Sequence, residues 1–91
     1  MEKNNECQGR SAYTRSELMR DRFICLLNKK GECWVNYLLG ASYRFQLIDG
    51  AICQDGGRFY NYCGEMSNEE IIDNIDFVGV ASITENDIRK F

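Results

Sequence analysis

A small α+β domain is the fold class this sequence predicts: an antiparallel β-meander of about five strands, a short N-terminal helix, and one helix near residues 67–75. Three observations lead there. A chain of 91 residues has room for one hydrophobic core and no more. Its 44% hydrophobic content and net charge of −3 are those of a folding chain rather than a disordered one. Short strand-like runs, punctuated by Asp-Gly and Gly-Gly turns, come before a helical segment instead of alternating with helices, which favours α+β over a parallel α/β fold.

The elements follow in order. Residues 1–10 are polar and without apolar period, so they read as a flexible leader that leaves 11–91 as the domain. Thr14 with Glu17 three residues on is the pattern of a capping box, predicting a short helix with Leu18, Met19, Phe23 and Leu26 toward one side. The apolar run at 23–27, the segment Asn28-Lys29-Lys30-Gly31 and the run at 33–39 then read as strand, turn and strand. A helix continuing through 14–27 is the competing reading.

Residues 43–48 alternate apolar and polar and meet Asp49-Gly50, a pair suited to a type I′ hairpin, after which 51–53 begin the return strand. Gln54-Asp55-Gly56-Gly57 turn the chain again. The segment 58–63 follows as a strand with Phe59 and Cys63 on one face and Arg58, Tyr60 and Tyr62 on the other. Ser67 with Glu70 repeats the capping pattern ahead of an apolar stripe of Ile71, Ile72 and Ile75. The nearly continuous apolar run at 77–83 predicts a central strand covered on both faces, and Thr84 with Asp87 a last helical turn toward Phe91.

Composition excludes several classes of function. Histidine is absent, which removes the usual base of cysteine and serine nucleophiles. The five cysteines are odd in number and widely spaced, with no zinc-type pairing and no secretory signal before them. They point to a reduced, cytoplasmic compartment and, for Cys25, Cys53 and Cys63, to core packing. No apolar run is long enough for a membrane span. Gly56-Gly57 lacks the spacing of a phosphate loop, and Asp49 and Asp55 beside glycine are ordinary turn residues rather than an acid–base pair with Glu65. No cofactor or metal is expected.

What remains is charge and aromatics. Residues 1–44 hold eight Lys/Arg against five Asp/Glu, whereas 45–91 hold three against nine. Glu65, Glu69, Glu70, Asp73 and Asp76 around the second helix could present a negative face to a basic partner, although Glu69 and Glu70 in a first helical turn also simply stabilise the helix. Trp34, Tyr37, Tyr43, Tyr60 and Tyr62 with Arg44 and Arg58 are residue types that favour interfaces or stack a nucleobase, with Trp34 and Phe45 expected in the core and Tyr60 and Tyr62 beside Arg58 as the leading pair. Direct DNA binding is not expected at an isoelectric point near 4.9.

In length, acidity and lack of motifs the chain is similar, by composition alone, to small phage or mobile-element proteins that inhibit host defence by binding, anti-CRISPR proteins among them. The resemblance implies a non-catalytic inhibitor or adaptor docking on a larger protein, for which nucleic-acid-binding proteins are one class. The alternative is a protein that sequesters a nucleotide or other small ligand between aromatic and arginine side chains, at the interface of a homodimer.

Overall fold

The computed structural model describes residues 14–88. The leader expected over 1–10, Cys7 and the end of the last turn at Phe91 lie outside the described residues. At Thr14 the capping box forms: the Glu17 N–H donates to Thr14 Oγ1 at 3.2 Å and the Thr14 N–H donates to Glu17 Oε1 at 2.9 Å. From it runs helix α1, Arg15–Lys30, closed by Gly31 at φ 79°, whose N–H donates to the Leu27 carbonyl. Lys29 and Lys30 in the last turn suit the negative end of the helix dipole.

The strand expected at 23–27 is therefore helix. The reason lies in spacing: Phe23, Leu26 and Leu27 fall at i, i+3 and i+4 and all three are buried, while Cys25 between them is exposed. A capped start and a glycine stop fix both ends of the segment. Gly31, expected in a hairpin turn, ends the helix instead.

Strands β1 (Glu32–Tyr37), β2 (Ser42–Ile48), β3 (Ala51–Gln54) and β4 (Gly57–Arg58) form an antiparallel meander. Asp49 and Gly50, and again Asp55 and Gly56, have positive φ, as type I′ turns require. The Gly56 N–H is engaged, donating to Gln46 Oε1 at 2.7 Å. A two-stranded ribbon of β5 (Tyr60–Asn61) and β6 (Gly64–Glu65) leads into helix α2 (Asn68–Asn74), capped by Ser67 and Glu70 as expected. A 3-10 turn over Phe77–Gly79 then delivers β7 (Val80–Thr84) beside β1. The sheet order is β4-β3-β2-β1-β7, a mixed α+β domain with a five-stranded antiparallel sheet.

β7 is thus an edge strand, not a central one. Its apolar continuity arises because Phe77 is buried from the 3-10 turn, and because a bulge opposite Asn36 and Tyr37 keeps both Val80 and Ile83 on the core side. The open edge is closed by side chains of α1: Arg15 Nη2 donates to the Ala81 carbonyl at 2.8 Å and Arg22 Nε to the Ile83 carbonyl at 2.7 Å.

Strand register divides the sheet into two faces. Cys33, Val35, Phe45, Ile52, Val80 and Ile83 pack with Phe23, Leu26, Leu27, Ile71 and Phe77, so both helices cover one face. The other face is polar. There the buried Asn36 donates to the Ser82 carbonyl at 3.3 Å and to Thr84 Oγ1 at 3.0 Å, and accepts from Ser42 Oγ at 2.8 Å, tying β2, β1 and β7 together. Trp34, directly opposite Arg44, lies on this second face and is only partly buried. Among the described residues no helix is long and apolar enough to cross a membrane.

The strand expected over 58–63 breaks at Phe59. Its ring turns inward and stacks on Phe45, with centroids 6.2 Å apart, and the chain beyond it leaves the sheet as the separate ribbon. Cys63 sits in the turn of that ribbon and is exposed, as is Cys25 on α1, so neither is a core residue. Cys33 and Cys53 are buried, Cys53 on the polar face beside Gln46 and Arg58.

These positions set thiol reactivity. Burial, reinforced by the Glu32 charge, pushes the Cys33 thiol up to about 12 from an ordinary 9.0. Under native conditions a thiol-alkylating reagent should label Cys25 and Cys63 and spare Cys33 and Cys53, as peptide mapping would report. Because the folded chain holds the Cys33 proton more tightly than the unfolded chain, its contribution to stability is intact below pH 9.0 and is lost as pH rises toward 12.

Candidate functional site

Arg58, Tyr60 and Tyr62 do not share a strand. Arg58 ends the main sheet and its guanidinium is paired with the Glu65 carboxylate of β6. Tyr60 lies opposite Glu65, which keeps ring and guanidinium near one carboxylate. Tyr62 occupies the turn between β5 and β6 and is wholly exposed. The ribbon is tethered by Asn61 Nδ2 donating to Glu70 Oε2 at 3.0 Å and by the Met66 N–H donating to the Phe59 carbonyl.

Tyr43 and Arg44 are consecutive on β2 and so face opposite sides of the sheet. Tyr43 joins the helix-covered side, where its ring meets Tyr37 edge to face at 5.8 Å. Arg44 points to the polar side opposite Trp34, and its Nε is buried without an acceptor. Of the acidic helix, Glu70 is occupied by the cap and by Asn61, and Asp73 lies 3.7 Å from Arg20 on α1. Glu69 is exposed in the first turn.

A third surface emerges where β1 turns into β2. The Leu38 N–H donates to the Gly79 carbonyl, binding the hairpin to the 3-10 turn, and the Gly40 N–H donates back to Tyr37 at φ 103°. Held this way, Leu38 is 63% exposed, Leu39 100% and Val78 72%. Burying such side chains is worth roughly 1.5–3 kcal/mol each, so three of them left in water at one end of a small domain make an apolar surface that the fold itself does not use. Between the hairpin and the 3-10 turn lies a cleft of about 430 Å³, walled by Tyr37, Leu38, Leu39, Ala41, Tyr43 and Gly79, with Asp76 as the one charged group. Tyr37 also borders a second cleft of similar size, which runs under Phe59, Met66 and Ile75.

Of this end, Tyr37, Tyr43 and Asp76 are among the residues singled out from sequence, though not as one group. Leu38, Leu39 and Val78 are missed, although two leucines directly before Gly40, where a turn ordinarily takes polar residues, carry a readable signal. The side chains gathered here are leucine, valine and tyrosine with one carboxylate. They offer area and shape, with no paired acid and base. Among the described residues no three His, Cys, Asp or Glu converge to hold a metal ion.

The carboxylate nonetheless acts on its neighbours. Burial, then the Asp76 charge, then Tyr43, hold the Tyr37 phenol above its ordinary 10.0. In an ultraviolet titration of the folded chain, a phenolate phase should therefore appear above pH 10.0, vanish in Tyr37→Phe, and move to lower pH in Asp76→Asn. An unmoved midpoint in Asp76→Asn would separate the two groups. The folded state binds this proton more tightly, so stability falls as pH rises past 10.0. Comparison with known proteins finds no matching family model, no matching curated protein and no matching solved structure.

Proposed function

We propose that this is a non-catalytic binding protein, an inhibitor or adaptor that acts by docking on a larger protein. The observation that carries the reading is the apolar end: Leu38 and Leu39, exposed on the wall of a tyrosine-lined cleft, with exposed Val78 next in the chain to Gly79 of that same wall. Isolated exposed leucines are common on protein surfaces, but a contiguous group beside a concavity is what the centre of an interface provides. The aromatic ribbon of Tyr60 and Tyr62 is the second surface that could make contact. The acidic helix contributes less, because Glu70 and Asp73 already serve the fold.

The test compares two double variants with the parent chain in quantitative capture from the cell that encodes it. Leu38→Ser with Leu39→Ser should lose the captured protein while stability changes by no more than about 0.5 kcal/mol, since both side chains are already in water. Tyr60→Ala with Tyr62→Ala should retain it. Loss in the tyrosine pair alone would transfer the site to the ribbon, and equal capture by all three chains would end the docking reading.

One observation favours a second reading, in which the polar face sequesters a nucleotide or similar anion. Arg44 Nε is buried without an acceptor directly across from the Trp34 indole, and a buried cationic donor without a partner is costly. A ligand that pairs with Arg44 must stabilise the native state. Nucleotides at millimolar concentration should then raise the melting temperature of the parent chain and not of Arg44→Met, and no shift with any nucleotide rules the reading out.

A further inference from the structure

We infer that the partner reaches the cleft at the β1–β2 hairpin with an apolar side chain flanked by lysine or arginine, an inference that rests on the docking reading above. Two features specify the chemistry. The cleft is apolar apart from Asp76, and no lysine or arginine lines it. Asp76 is exposed, caps the 3-10 turn without a side-chain bond, and forms no salt bridge among the described residues. Its carboxylate lies over the bare Cα of Gly79, where an added Cβ would meet Oδ2 at 3.1 Å and the Tyr37 ring at 3.9 Å. The charge is therefore held at the apolar wall while staying open to solvent.

The surroundings reinforce that sign. A smaller cleft that shares Asp76 is lined by Glu17, Arg20 and Val78, and its one cation, Arg20, is already shared with Asp73. An approaching segment thus meets exposed leucine and valine with net negative charge around them. A carboxylate brought here would be repelled, and a neutral segment would leave Asp76 to be covered unpaired, which costs free energy. A basic flank removes that penalty and keeps its own charge at the wet rim, where long side chains lie along apolar surface with the head in water. Rim charges of this kind select among partners more than they add affinity.

The experiment pans a phage-displayed library of random peptides on the full-length chain, with counter-selection on Leu39→Asp shown by circular dichroism to be folded. Enriched peptides should combine a large apolar residue with adjacent lysine or arginine, and their binding, followed by fluorescence anisotropy, should weaken with added salt and by up to about 5-fold in Asp76→Asn. Panning on Asp76→Lys should select acidic flanks in place of basic ones. Enrichment of apolar peptides without basic flanks, or of the same peptides on Asp76→Lys, would overturn the partner chemistry and leave the docking surface standing. Failure to enrich any peptide that Leu39→Asp loses would overturn both.

Discussion

The Phe23 ring is the contact on which the rest of this fold depends. Fully buried, it meets Phe45 of β2 edge to face at 5.2 Å and Phe77 of the 3-10 turn at 5.7 Å, and so joins the first helix, the centre of the sheet and the return to β7 in one place. Phe45 in turn carries the stacked Phe59, which breaks the fourth strand and sends the chain toward α2. Removing a buried phenylalanine generally costs about 3–5 kcal/mol, comparable to the whole stability of a domain this small. Packing around one ring therefore sets α1 and the 3-10 turn against the same face of the sheet.

That arrangement also explains why apolar surface is left over. The early turns of α1 bring Ser16, Glu17 and Arg20 to Val78 and Asp76. These side chains are polar, so they border the 3-10 turn without covering it. The β1–β2 hairpin is bound to this turn by the Leu38 N–H and the Gly79 carbonyl, and among the described residues no element covers its two leucines. Leu39 gains nothing from folding, because it is as exposed in the native state as in an unfolded chain. The stability of the domain therefore does not account for its presence, and the docking proposed above does.

Much of the fold was legible locally and much less of the site. Both capping boxes, both Asp-Gly type turns and the helix at α2 are decided by neighbours within a few residues, and sequence spacing displays such neighbours directly. The segment at 23–27 stays ambiguous in sequence because five consecutive apolar residues satisfy a strand and a helix equally, and only the capped start at Thr14 together with the left-handed Gly31 fixes the choice. The position of β7 at an edge depends on Arg15 and Arg22, more than sixty residues away, a distance no local pattern reveals. The grouping of Tyr43 with Arg44 ignored the alternation of a strand, which puts neighbours on opposite faces. Leu38 and Leu39 passed as the end of a strand, since their exposure depends on where the 3-10 turn arrives.

The closed edge bears on how recognition can occur. A small sheet protein can bind another chain by offering an unpaired strand or by offering side chains, and the first requires free backbone groups along a strand of useful length. Here β4 is two residues long, and the carbonyls of Ala81 and Ile83 on β7 already accept from Arg15 and Arg22. Strand addition to the main sheet would have to break two charge-assisted hydrogen bonds before making its first new one. The hairpin end carries no such cost, because its leucines and its cleft are open as they stand. The docking proposed for that end, through side chains, is therefore the route that leaves the fold undisturbed.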